Sequence, residues 1–213
     1  MDLEIPRDFE LGVATSSWQI EGDVAGRGRA NWDDFALIPG AIVDGSTGEP
    51  ACDHVHRLEE DLDLLAWLGV DAYRFSISWP RVMPDGAGEL SAEGLAFYDR
   101  LVDGLIARGI KPVATLFHWD LPTALEEAGG WPNRETAERF ADYAQAMGEH
   151  FADRVDRWAT LNEPWCSAFL GYCSGYFAPG RTEPGASLEA AYNPNDCPEL
   201  RWGAAAGSPE LSS

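Results

Sequence analysis

The side chains that could do chemistry in this chain fall in three short runs: Thr160-Leu161-Asn162-Glu163-Pro164, His118-Trp119-Asp120 and Trp18-Gln19-Ile20-Glu21. Each follows a strand-like stretch. A Glu beside a scissile bond can give and then take a proton. If Ala159 and Leu161 face inward, strand alternation turns Glu163 inward as well, and Pro164 ends the hydrogen-bond ladder. An inward carboxyl is costly without a partner, which favours a functional reading over a Glu that merely bonds a neighbouring backbone group or Arg. His118 reads either as a neutral imidazole donating to a hydroxyl beside the Trp119 platform, or as a satisfied core histidine beside a buried Trp. Gln19 carries donor and acceptor atoms suited to two adjacent sugar hydroxyls, and an isolated Gln is equally at home on a surface loop. Arg74 sits inside the strand-like run Asp71 to Ser78, where an inward guanidinium needs a carboxylate; the alternative is an ion pair to a structural Asp.

Other chemistries lack their residues. His54 and His56 are two apart and share no helix face, and no Cys or His cluster has zinc spacing. The only lysine, Lys111, precedes Pro112, which excludes a Walker A loop. Gly26-Arg27-Gly28 has no strand before it and no third glycine of a dinucleotide fingerprint. There is no G-x-S-x-G elbow. No metal or other cofactor is expected.

The elements that must position these runs are legible from periodicity. Val55, Leu58, Leu62, Leu65 and Leu68 recur at three or four residues, which predicts a helix over 54–68 closed by Gly69. A strand over 71–78 follows. Ser91 caps a second helix carrying Leu95, Tyr98, Leu101 and Leu105, Gly109 closes it, and Lys111 to Phe117 reads as a buried strand. Asn133 caps a third helix with Phe140, Tyr143, Met147 and Phe151 on one face, before a strand over 157–163. With Phe9 to Ala14 as the first strand, the chain alternates strand and helix, which implies a parallel sheet with right-handed crossovers. Polar and aromatic residues just past the strand ends favour a (β/α) barrel over an open sheet.

At 213 residues, one large domain or two small ones are accommodated. The net charge of -21 repels phosphate backbones and anionic lipid, so neither nucleic acid nor a membrane surface is an expected partner. No apolar run approaches the roughly 18 residues of a membrane span. The start of the chain lacks a secretory signal, and the expected location is the cytoplasm. Cys52, Cys166, Cys173 and Cys197 read as reduced thiols.

Taken together, the motifs resemble the family 1 glycoside hydrolases, mostly β-glucosidases and related retaining β-glycosidases. Phe9 to Gly22 resembles the family's N-terminal signature. Tyr73-Arg74-Phe75-Ser76-Ile77-Ser78-Trp79-Pro80-Arg81, Leu116-Phe117-His118-Trp119-Asp120-Leu121-Pro122 and Thr160-Leu161-Asn162-Glu163-Pro164 resemble the next three motifs, in order. The resemblance implies a (β/α)8 TIM barrel acting on β-linked glucosides or short oligosaccharides. Glu163 would be the general acid/base. Gln19, His118 and Asn162 would bind hydroxyls of the sugar being cleaved, Trp119 would line that pocket, and Arg74 would lie beneath the nucleophile carboxylate.

The resemblance covers residues 9 to 191 and then stops. The family's nucleophile lies in a Thr-Glu-Asn-Gly motif, and this chain has no Thr-Glu-Asn; Thr182-Glu183-Pro184 falls in a loop. Cys173 and Phe177 stand where the family usually shows Gly and His. A full barrel needs about 250 residues or more. The expectation is therefore a barrel truncated to about four βα units over 1–191, with a divergent, disordered tail over 192–213. Such a chain would be inactive alone and would self-associate through exposed barrel edges. A non-catalytic sugar-binding or assembly half-barrel module is the alternative, and a portion of a 6-phospho-β-glycosidase a third.

Overall fold

The computed structural model describes residue 6 and residues 8–195. Four strands, β1 (Gly12–Ala14), β2 (Ala72–Ser76), β3 (Lys111–Phe117) and β4 (Arg157–Leu161), form one parallel sheet in chain order. The helices are α1 (Ser17–Ile20), α2 (Asn31–Ala36), α3 (Leu58–Leu68), α4 (Trp79–Val82), α5 (Ala92–Ala107), α6 (Thr123–Glu127), α7 (Arg134–Phe151) and α8 (Pro184–Asn195). A π-helical segment, Cys166–Cys173, follows β4.

The expected caps hold the long helices. Ser91 Oγ accepts from the Gly94 amide at 3.1 Å, and Asn133 Oδ1 from the Glu135 amide at 3.1 Å, each satisfying a donor that the helix leaves free. Gly69 and Gly109 take φ of 68° and 73° just past α3 and α5, a left-handed turn that costs glycine nothing.

Strand alternation sorts the two faces of the sheet. Tyr73, Phe75, Ala114 and Leu116 are buried with Leu62 of α3, Leu101 and Leu105 of α5, and Phe140, Tyr143 and Met147 of α7. On the opposite face Ala14, Arg74, Val113 and Arg157 share one register row and line an open concavity. Gly104 lets α5 approach α3, because a Cβ there would meet Leu62 at 2.4 Å.

Three expectations need correction. The first strand is only Gly12–Ala14, since the chain from Phe9 to Leu11 makes no ladder of its own. The fourth stops at Leu161, two residues short. The irregular tail does not begin at Tyr192. Helix α8 runs to Asn195 despite Pro194, and buried Asn193 donates from Nδ2 to the carbonyls of Trp131 and Pro132 at 2.9 and 3.0 Å. A polar tertiary anchor of this kind leaves no hydrophobic periodicity to read. The rest of the expected tail, 196–213, lies outside the described residues. No helix among the described residues is long and apolar enough to cross a membrane.

Candidate active site

The C-terminal ends of β1, β3 and β4 carry the three motif runs to one rim. Asn162 extends the β3–β4 ladder by one rung, its amide donating to the Phe117 carbonyl at 2.9 Å. Two residues beside that rung break from extended geometry: Trp119 has φ of 81° and Glu163 φ of 45°. Neither is glycine, so both store backbone strain of order 1–3 kcal/mol, which surrounding contacts must offset. Those contacts converge on Asn162. Its carbonyl accepts from Trp119 Nε1 at 2.8 Å and its Oδ1 from Arg74 Nη2 at 3.1 Å.

Ala159 and Leu161 do lie on the concave face, in the rows of Thr115 and Phe117. Alternation stops there. Glu163 is exposed, and its direction is set by the left-handed turn rather than by the strand period. Its Oε2 receives the Cys166 thiol at 3.5 Å, and its carbonyl accepts the Cys166 amide at 2.9 Å, at the start of the π-helical segment. Burial, and then the Glu163 carboxylate, push the Cys166 thiol up.

His118 is half-buried. Burial and the neighbouring Arg74 charge lower its pKa to about 4, against the opposing pull of Glu163. The ring is therefore neutral at pH 7 and can act as a hydrogen-bond donor or acceptor. His118 Nδ1 and Arg74 Nε are buried with no partner among the described residues. Arg74 forms no ion pair with a carboxylate among the described residues, so the structural Asp offered as the alternative is not found among them.

Gln19 reaches the rim on α1, which is pinned to the sheet by hydroxyls. Ser76 Oγ accepts from the Ser17 amide at 2.8 Å and donates to Ser17 Oγ at 3.0 Å, while Ser17 Oγ donates to Asp120 Oδ2 at 2.9 Å. Gln19 itself is exposed, and its neighbour Trp18 begins a chain of rings toward the other candidates, 5.3 Å from Trp32, which is 6.4 Å from Trp119. The loop after α1 is fixed by buried charge: Arg81 Nε donates to Glu21 Oε2 at 2.8 Å and Nη1 to Asp23 Oδ2 at 3.0 Å, and Tyr98 OH donates to Glu21 Oε1 at 2.5 Å.

Sequence reasoning assigned no role to Asp120, Trp32 or Cys166. Asp120 and Cys166 stand within the quoted motifs or two residues past them. A search for polar residues flanking each motif would have raised both. Trp32, on α2, carried no signal beyond being aromatic.

Asp120 is wholly buried, and desolvation, aided by Glu21, pushes its carboxyl up to about 7 against the opposing pull of neighbouring hydroxyls, of which Ser17 donates to Oδ2. A carboxyl whose pKa is raised by folding favours the folded state most below its unfolded value near 4. That contribution is lost as pH rises toward 7, because the unfolded chain ionises first. Asp120→Asn keeps the Ser17 hydrogen bond and removes the titration. Urea midpoints of the two proteins should agree near pH 4 and diverge up to pH 7, with the variant the more stable by a few kcal/mol at most, since each tenfold change in proton affinity is worth about 1.4 kcal/mol. Parallel curves would show that Asp120 ionises as freely folded as unfolded.

The glycosyl hydrolase family 1 profile matches residues 1–196. Beta-glucosidase A of Thermotoga maritima is 47% identical over 192 residues, covering 89% of this chain and 43% of that protein. The solved T. maritima β-glucosidase in complex with glucoimidazole superposes with a TM-score of 0.86 at 48% identity, over 88% of this chain and 43% of the other. Virulence factor SghA, solved with its substrate analog salicin, gives 0.85 at 51% identity, over 87% and 41%. The chain thus spans less than half the length of these relatives, as a four-stranded part of their barrel. On its profile match, its identity to these β-glucosidases and the sheet it shares with them, this chain belongs to glycosyl hydrolase family 1.

Proposed function

We propose that this chain carries the acid/base half of a retaining β-glucosidase. Glu163 protonates the departing glycosidic oxygen, then, as a carboxylate, takes a proton from the water that hydrolyses the glycosyl-enzyme. Gln19, His118 and Asn162 bind hydroxyls of the glucosyl ring against the Trp119 face, and Arg74 supports the nucleophile carboxylate contributed from outside these residues. The observation that carries the reading is the convergence on Asn162: one residue, next to Glu163, ties Arg74 and Trp119 together beside a neutral His118. The glucose-like and aryl glucoside ligands of the relatives support the substrate class, β-linked glucosides or short oligosaccharides.

A polypeptide that continues this chain with the remaining barrel strands of a relative tests the role of Glu163. Glu163→Gln should slow release of a poor leaving group such as methanol by about 10² or more, the usual worth of a general acid. Glycosylation by a dinitrophenyl glucoside, which leaves without a proton, should be far less affected. Equal losses on both substrates would remove the acid role.

The open sheet also leads us to propose self-association of the 213 residues alone. All three residues of β1 are exposed at an edge whose amides and carbonyls have no strand beyond them among the described residues. Sedimentation velocity should show mass rising with concentration; a single 23.3 kDa species at every loading would contradict this.

A further inference from the structure

One residue holds Glu163 at both ends. The Cys166 amide donates to the Glu163 carbonyl at 2.9 Å, and the Cys166 thiol donates to its carboxylate Oε2 at 3.5 Å. The left-handed turn at Glu163, with φ of 45°, is thereby joined to the first residue of the π-helical segment Cys166–Cys173. An exposed Glu side chain gives up its rotamer freedom only against a fixed contact, and Cys166, half-buried where Glu163 is exposed, supplies one. Burial, and then the Glu163 carboxylate, push the thiol up, so it keeps its proton at neutral pH and meets the carboxylate as a donor rather than as a second anion. A thiol is also a weak donor. A stronger donor would favour the charged carboxylate more firmly and oppose the protonation that a general acid requires.

We propose that Cys166 is a positioning residue for the acid/base: by engaging Oε2 it makes the two carboxyl oxygens of Glu163 unequal and turns Oε1 toward the glycosidic oxygen. The proposal rests on the β-glucosidase reading for what Glu163 does. The contact between the two side chains stands without it.

Alkylation by iodoacetamide, followed peptide by peptide by mass spectrometry, tests the contact on the 213-residue chain with no substrate involved. In Glu163→Gln, which keeps the size of the side chain, Cys166 should react about three- to tenfold faster near pH 8, because the neighbouring anion is gone and the thiolate forms more readily. Cys173, also half-buried at the far end of the π-helical segment, should react as before. An unchanged rate at Cys166 overturns the proposal. If the Gln variant loosens the segment and quickens both cysteines alike, kinetics of the polypeptide continued through the remaining barrel strands decide. With methyl β-D-glucoside, Cys166→Ala should move the alkaline limb of kcat/KM to higher pH by about half a unit, equivalent to a threefold change in proton affinity, and lower its plateau by about threefold. Cys166→Ser, whose hydroxyl still donates, should restore both. A limb and plateau unmoved in Cys166→Ala, or a Ser variant no better than Ala, overturns the proposal. A limb that persists in Glu163→Gln, with the alkylation result intact, would instead refute the acid role of Glu163 and leave the contact standing.

Discussion

Incubated alone with an aryl β-glucoside, the 213-residue chain will release the aglycone no faster than buffer does, while the polypeptide continued through the remaining barrel strands will turn it over. Retention of configuration requires two carboxyl groups about 5 Å apart, one on each face of the anomeric centre. Among the described residues Glu163 is flanked by Cys166 and His118, neither of them a carboxylate. Glu183, in the one Thr-Glu sequence that follows, is exposed just ahead of α8. Without a nucleophile no glycosyl-enzyme can form. Proton donation by itself supplies only about 10² to 10⁴, against roughly 10⁶ or more for a complete enzyme. The largest change in rate should therefore come from adding strands rather than from altering any residue already present. Clear turnover by the chain alone, abolished in Glu163→Gln, would mean that another carboxylate serves as nucleophile.

Trp79→Ala should be the most damaging single substitution to the fold. The indole is fully buried, stacked on Tyr143 at 4.9 Å and 10° and packed against Phe140 and Trp131 at 5.7 and 6.5 Å. It opens α4 directly after β2, so it joins the sheet to α7 through a single side chain. Truncation removes its stacking and leaves a cavity that the aromatic neighbours cannot collapse into, at a cost of about 3–5 kcal/mol. A domain has only about 5–15 kcal/mol in all, and an open half of a barrel has less burial than most. The damage extends to the site, because α4 also carries Arg81, which holds Glu21 and the loop after α1. Trp67→Ala is the control: that side chain is 79% exposed on α3, and its loss should change stability by no more than about 0.5 kcal/mol. Urea midpoints and near-ultraviolet circular dichroism distinguish the two. A Trp79→Ala midpoint matching that of Trp67→Ala would refute this account of the core.

Local and periodic signals along the chain were enough for the alternation of strand and helix, the caps at Ser91, Gly69, Asn133 and Gly109, most of the buried faces of α3, α5 and α7, and the family; on α3 the expected face loses Val55, which precedes the helix, and Leu68, which is half exposed. A cap needs one residue and its next turn, and an amphipathic face repeats every three or four positions. The family motifs are contiguous as well, which is why Arg74, His118, Trp119, Asn162 and Glu163 could be named before their neighbours were known. How those residues meet depends on the folded chain. That Asn162 bonds both Arg74 and Trp119 joins three strands, and that Ser17 reaches Asp120 spans 103 positions of sequence. Glu163 was expected to follow strand alternation, yet a left-handed backbone turn sets its direction, and no period encodes such a turn in a non-glycine residue. Helix α8 persists past Tyr192 for the same reason. Asn193 is held by the carbonyls of Trp131 and Pro132, 62 and 61 positions away, and a distant polar contact leaves no trace in the hydrophobic pattern of the segment it secures.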